Sequence, residues 1–368
     1  MNPMTQKLLY ALPKSLQRSM LMKNITINYD LDSKIVFKIA ETQSELEGAF
    51  RLLYDAYVRV NLQKPNDSKL RVTPYHALDS TTTIVAKIDD KVIGTLSLIR
   101  WGALGIPSES LSDFLYHRQS GIQFAEVSAL AIDREYKGQI FLHLLKYMYN
   151  YCTDYFGVDE LIAVIVTHKL APIFYESILQ FQPLSQKVHG DYAFANYQKV
   201  IVEDLNLHMA RKAYSEIYNH LPRDKNLFHF FTEYQCPNFK FPKRTSFLIS
   251  DPVMNRDLFK YFFMERTQAI NDIPENIKPY ILQKYGLQRR VSKVVSDRIE
   301  VKARGFCVKG GVQIPIKIKN ISKYGFCIHA QLPFVTKGEI GQFYFYLGPD
   351  VKINVSAVSV WTGNENSY

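Results

Sequence analysis

The hydrophobic positions in the N-terminal part of the chain change period repeatedly, and each change marks an element. "IVFKIAET", from Ile35, reads as a strand. Thr42 and Glu45 then form a capping box, in which each side chain satisfies the other's free backbone donor. The helix that follows places Leu46, Phe50, Leu53, Tyr54 and Tyr57 on one face at helical spacing. Beyond a loop with Pro65 and Pro74, two β-branched runs, "TTIVAKID" and "KVIGTLSLIR", meet at Asp89-Asp90 and predict a hairpin. "QFAEVSALAI" is the next strand, "QIFLHLLKYMYNYCTDYF" an apolar helix, "ELIAVIVTH" a buried strand, "KLAPIFYESILQF" a helix and "NYQKVIVEDL" a closing strand. This alternation predicts a mixed α/β layer whose central strands are apolar on both faces.

From about His208 the pattern shifts. "LHMARKAYSEIYNHL" and "VMNRDLFKYFFMERTQAI" read as helices flanking an aromatic stretch with Pro237 and Pro242. The C-terminal stretch turns to short strands, with Gly310-Gly311 expected to turn one hairpin, and their regular spacing suggests a small barrel. The chain stops at "WTGNENSY", where one further strand would normally finish such a barrel. The expected division is an N-terminal arm over 1–34, an α/β core over 35–206, a helical connector over 207–285 and a small β domain over 286–368.

A length of 368 residues, 47% of them hydrophobic, is enough for two or three domains with full cores. The net charge of +10 and pI near 9.2 point to anionic partners: a nucleotide, a membrane surface or an acidic carrier protein. The basic residues form no run, which argues against nucleic acid. Cys152, Cys236, Cys307 and Cys327 lie far apart with no metal spacing, so no metal is expected, and they read as reduced thiols of a cytoplasmic protein. No apolar run approaches the ~20 residues that span a bilayer. "KLLYALPKSLQRSMLM" is interrupted by Lys7, Lys14 and Arg18. It reads either as a surface-docked or flexible tail, or as a basic arm making peripheral membrane contact.

The stretch "AEVSALAIDREYKGQIFLHLLKYM" runs from an apolar strand through a polar break into a helix. The order of elements from Ile35 to Leu205 resembles the GNAT acyltransferase fold, which implies a cleft where two central strands splay and a thioester enters. Such enzymes cradle the pyrophosphate of coenzyme A on a glycine-rich loop at the helix start. Here the loop reads Lys137-Gly138-Gln139-Ile140-Phe141-Leu142, and Ile140 and Leu142 carry Cβ atoms that would crowd a pyrophosphate. A phosphopantetheine arm delivered by an acyl carrier protein fits this loop better, with contacts expected from Lys137, Gly138, His168 and Lys169. The last two have a bland alternative as a solvated turn.

"FAEVSALAID", with "APIFYESILQFQPL", is similar to the N-acyl amino acid synthases of the FeeM type, relatives of the acyl-homoserine lactone synthases. The lactone synthases carry Arg where Ala129 and Ser97 stand, which leaves an amino acid acceptor favoured. The resemblance implies Glu126 as general base, since an α-amine attacks a thioester only as its free base, and burial would raise that carboxyl toward a useful range. The alternative for Glu126 is a solvent-facing strand position. Ser128, Ala129 and Ala131 are expected at the substrate, with backbone N–H groups polarising the thioester carbonyl. Tyr175 stands where many GNAT enzymes keep the acid for the departing thiolate, and reads equally as core packing. Asp79 and Arg100 are expected to bind substrate amine and carboxylate, or to pair with each other.

"QRRVSKVV" and "KNISKYGFCI" resemble a PilZ domain, the small barrel that binds cyclic di-GMP. Asn320, Ser322 and Gly325 match its Asp/Asn-x-Ser-x-x-Gly motif. Of the paired arginines, Arg289 is followed by Lys293 where Arg is wanted, with Arg290 adjacent. Lysine keeps the charge and loses the planar fork. The resulting expectation is an acyltransferase that moves a long acyl chain from acyl carrier protein to an amino acid, joined to a cyclic di-GMP module. The alternatives are a GNAT enzyme using acyl-CoA, and an inactive acyltransferase fold serving as cyclic di-GMP effector or scaffold.

Overall fold

The computed structural model describes residues 9–167, 170–243, 251–287, 299–309, 312–322, 325–330, 339–346 and 352–359. Its larger sheet has seven strands in the order β1-β2-β3-β4-β5-β7-β6. These are β1 (Ile35–Ile39), β2 (Thr81–Ile88), β3 (Lys91–Arg100), β4 (Phe124–Ile132), β5 (Glu160–Val166), β6 (Gln182–Pro183) and β7 (Val200–Asn206). Only β4 and β5 pair in parallel; every other neighbour is antiparallel. The expected mixed layer flanked by helices is therefore present. The β2–β3 hairpin turns at Asp89, whose φ of 50° is the left-handed geometry that a tight turn needs and Asp tolerates.

Helices cover both faces. They are α1 (Lys14–Met22), α2 (Gln43–Arg59), α3 (Lys137–Asn150), α4 (Ala171–Ser177), α5 (Leu207–Tyr218), α6 (Leu227–Thr232) and α7 (Lys278–Lys284), with a further helical stretch over Arg256–Phe259 and Lys260–Arg266. Thr42 caps α2 by accepting from the Glu45 N–H at 3.2 Å, while the Glu45 carboxylate accepts from Glu41 rather than from Thr42. The cap is thus half of the expected reciprocal box. The helix predicted around α4 is shorter than its sequence pattern, ending at Ser177.

One core lies between the sheet and α3, α5 and α6, around Phe37, Tyr147, Tyr151 and Phe230. The other joins α2 to the Arg256–Arg266 stretch and α7, through Phe50, Phe259, Phe262 and Phe263. Fully burying one such side chain is worth roughly 1.5–3 kcal/mol. The stretch 207–285 therefore packs onto both faces of the sheet. A mixed sheet that is apolar on both sides needs two covers, and the segment before β7 supplies too few helices for both.

The C-terminal residues form five antiparallel strands in the order β10-β9-β8-β11-β12. They are β8 (Ile299–Lys309), β9 (Val312–Ser322), β10 (Gly325–Ala330), β11 (Ile340–Tyr346) and β12 (Lys352–Val358), with Cys307, Ile316, Ile318 and Phe345 inside. Gly305 permits the close approach of β11, since a Cβ there would lie 2.0 Å from the Tyr344 carbonyl oxygen. The expected Gly310-Gly311 turn falls outside the described residues. Among the described residues no helix is long and apolar enough to cross a membrane.

Candidate active site

The ladder between β4 and β5 covers only Phe124–Val127 against Glu160–Ala163. Beyond it β4 stays with β3 as far as Ile132 and β5 stays with β7 as far as Val166, so the two parallel strands part at Val127 and Ala163. At the parting the β3–β4 register shifts between Thr95 and Ser97, and Ala129 takes a φ of 56°. A non-glycine residue in that region marks a bulge that re-aims the backbone. The Ala129 backbone N–H, expected to face a thioester carbonyl, meets the Tyr57 phenol.

Glu126 sits just before the parting and is only 2% exposed. Its Oε2 accepts from the Ser108 backbone N–H at 2.8 Å. Burial pushes its carboxyl up to about 7, against the opposing hydrogen bonds from Ser108. The solvent-facing alternative is thereby excluded. The phenols of Tyr57, Tyr75 and Tyr192 all feel the Glu126 charge, and burial raises each of them above the ordinary tyrosine value.

Arg71 enters the same compartment from the loop after α2. Its guanidinium donates to Gln63 Oε1 at 2.9 Å and to the Phe194 carbonyl at 2.8 Å, and lies 4.5 Å from the Tyr57 ring centre. No carboxylate pairs with Arg71 among the described residues. Chemically the compartment offers a carboxyl that titrates near neutrality, a cation held by neutral partners, and an aromatic wall.

Residues adjacent in a strand face opposite ways. Val127 accordingly belongs to a second compartment, an apolar cavity lined by Val127, Leu145, Met148, Leu161, Tyr175, Leu205 and Tyr214 among others. Tyr175 lies at its edge against Phe181, and burial pushes its phenol up to about 12, with smaller contributions from Tyr57 and Glu203.

Two residues expected at the substrate lie elsewhere. Arg100 is buried at the end of β3, donating to the Gly157 carbonyl at 3.0 Å and stacking 4.5 Å over Phe156. Asp79 pairs with Lys284 at 2.6 Å, while the Tyr285 phenol donates to the Ala77 carbonyl at 2.7 Å. They do not pair with each other. A charge at the end of an apolar strand looks like a site in sequence, but here each one fastens a loop.

Ser128 pairs with Ser97 in the ladder, and Ala131 packs in the α2-side core. Lys137 and Gly138 open α3, whose first turn has no side-chain cap and no acidic residue. The Gln139 and Ile140 N–H groups donate to the Tyr136 carbonyl at 2.9 and 3.0 Å, which leaves the Lys137 and Gly138 N–H groups and the Lys137 ammonium to meet an anion there. Ile140, expected to crowd that loop, is fully buried and points toward Gly94 instead. His168 and Lys169 lie outside the described residues. So do Arg289, Arg290 and Lys293; Asn320 faces Cys327 in the β9–β10 ladder, and Ser322 faces Gly325.

The sequence reading missed Arg71, Tyr75, Ser108 and Tyr192. Only the aromatic makeup of "RVTPYH" and "GDYAFANY" could have flagged Arg71, Tyr75 and Tyr192; nothing in "GIPSES" marks Ser108. All four cysteines are free, and no cluster of three metal-binding side chains exists among the described residues.

Comparison with known proteins places this geometry in context. No curated protein sequence matches the chain. Among solved structures it is similar to FeeM, an N-acyl amino acid synthase from uncultured soil microbes, at 22% identity over 48% of this chain and 93% of that one, TM-score 0.41. It is also similar to BjaI, a CoA-dependent acyl-homoserine lactone synthase, at 16% identity over 58% of this chain and 95% of that one, TM-score 0.38. An N-acetyltransferase from Staphylococcus aureus Mu50 gives 15% identity over 47% of this chain and 98% of that one, TM-score 0.31. The family model described as N-acyl amino acid synthase FeeM matches residues 48–201, from within α2 to within β7, a stretch that includes Glu126, Arg71 and the Val127 side of the apolar cavity.

Proposed function

We propose that the chain is an N-acyltransferase that moves a long acyl group from a thioester to the amine of an amino acid. The observation that carries this reading is Glu126: a buried carboxyl, raised to about 7, at the point where two parallel strands part. At neutral pH a large share of it is ionised, so it takes a proton from an incoming ammonium or from the nitrogen as it attacks. The amine nitrogen then forms a bond to the thioester carbon, and the carbon–sulfur bond breaks. The departing thiolate takes a proton, for which Tyr175 stands at the cavity's edge. Arg71, held by neutral partners, suits the acceptor's carboxylate. The apolar cavity suits the acyl chain. The family-model match over 48–201 supports the same class of reaction.

For the donor we favour acyl-phosphopantetheine on acyl carrier protein, because the start of α3 offers one glycine and one lysine rather than a glycine-rich cradle. Incubating the protein with acyl carrier protein loaded with a long chain and mixed amino acids, read by mass spectrometry, tests this. An acylated amino acid is expected, and lost in Glu126→Gln. Product formed from acyl-CoA alone overturns the choice of donor.

The C-terminal sheet supports a second role. Asn320, Ser322 and Gly325 lie close together on the neighbouring strands β9 and β10, an arrangement that favours this reading. Calorimetry with cyclic di-GMP is expected to give heat that Arg289→Ala removes; heat unchanged in that variant overturns these residues.

A further inference from the structure

Glu203 is a carboxyl that the reaction outlined above does not use. It lies in β7, is fully buried, and neither of its oxygens has a hydrogen-bond partner. A carboxyl in that condition costs several kcal/mol relative to an apolar residue. Its rank in the sheet is informative. Glu203 faces Ala163, which faces Val127, so it stands level with the point where β4 and β5 part. It shares a face of β7 with Leu205, and Leu161, Leu205 and Val127 line the apolar cavity. Ala163 between them carries only a methyl group, and Glu203, which is not itself a lining residue, lies close enough to Tyr175 in the cavity wall for its charge to act on that phenol.

We propose that Glu203 makes the cavity select acyl chains bearing a hydroxyl near the thioester, the 3-hydroxyacyl class. This rests on the reading of the cavity as the acyl site. A chain that descends from the parting strands passes the Val127–Ala163–Glu203 rank before the Leu161–Leu205 rank. Glu203 therefore meets its first few carbons, and the tail meets only hydrocarbon.

The protonation state fits the same ligand. Burial, and then the nearby Glu176 charge, push the Glu203 carboxyl up to about 8, with Lys14 opposing. Of the charged groups on the surrounding elements, Lys14 and Glu176 pair with each other at 3.1 Å, and Asp204 on β7 adds to the upward push. Near neutral pH Glu203 is mostly an uncharged acid, which donates once and accepts once. A hydroxyl reciprocates both, whereas a plain methylene offers neither.

The test is a binding titration of the full chain with S-dodecanoyl-N-acetylcysteamine and its 3-hydroxy counterpart, alongside transfer assays with the same chains on acyl carrier protein. The wild type is expected to bind the 3-hydroxy thioester about tenfold tighter, the worth of one buried hydrogen bond. Glu203→Leu is expected to abolish that preference while binding the plain chain at least as well. Equal binding of the two thioesters by the wild type overturns the proposal. So does a preference that survives in Glu203→Leu, or failure to bind either chain. Should binding discriminate as expected while no acylated amine appears, the selectivity stands and the transfer reaction falls.

Discussion

Glu126 and Val127 are neighbours in one strand, and they serve two compartments of opposite character. On the α2 side the sheet presents a carboxyl, three phenols and a guanidinium. On the α3 side it presents a cavity walled by leucines and aromatic rings. The two meet only where β4 and β5 part. A strand's alternation thus puts a carboxyl raised to about 7 and an apolar cavity on opposite sides of one backbone, so one side can be altered while the other is kept.

The sharpest way to break that division is Glu126→Gln. It is expected to lower kcat/KM by about 100-fold or more while leaving acyl-chain binding intact, since a positioned base contributes about 10²–10⁴-fold. In the wild type, kcat/KM should rise with pH through about 7 as Glu126 ionises, and Glu126→Gln should flatten that limb. Arg71→Ala comes next: the KM for the amino acid should rise about tenfold to 100-fold with a smaller change in kcat, as loss of uniform binding requires. Arg71→Lys should restore little of it. On the opposite side, Met148→Trp should shorten the accepted chain, seen as a shift in product masses, at about 1–3 kcal/mol of stability.

Stability offers a gentler comparison. Glu126 and Glu203 keep their protons in the folded chain up to about 7 and about 8, against an ordinary 4.5. The unfolded chain therefore sheds protons first as pH rises. Stability is expected to fall from about pH 4.5 to pH 8 and then level off. Thermal unfolding across that range checks it, and Glu203→Gln should flatten the upper part of the fall. The smallest effect expected is that of Asp79→Ala, about 1 kcal/mol, because Asp79 itself is half exposed, although its partner Lys284 is mostly buried.

Much of the scaffold was legible because it is local. The β-branched run ending at Arg100 and the apolar run through Glu126 announce central strands, and Thr42 announces a helix start. Glu126 itself stood out as the one charge inside an otherwise uncharged apolar strand. Arg71, Tyr75 and Tyr192 did not, because they sit in loops without period and gain their meaning from contacts distant in sequence. Arg100 and Asp79 misled for the converse reason: their partners, Gly157 and Lys284, come from segments the strand pattern does not connect to them. The stretch over 207–285 read as a spacer because helix periodicity does not say which surface a helix will cover.

The seam where Lys284 and Tyr285 grip Asp79 and Ala77 adjoins the turn that holds Tyr75. Tyr285 also stacks 4.4 Å from Phe259 inside the α2-side core, so this seam and that core hold or give way together.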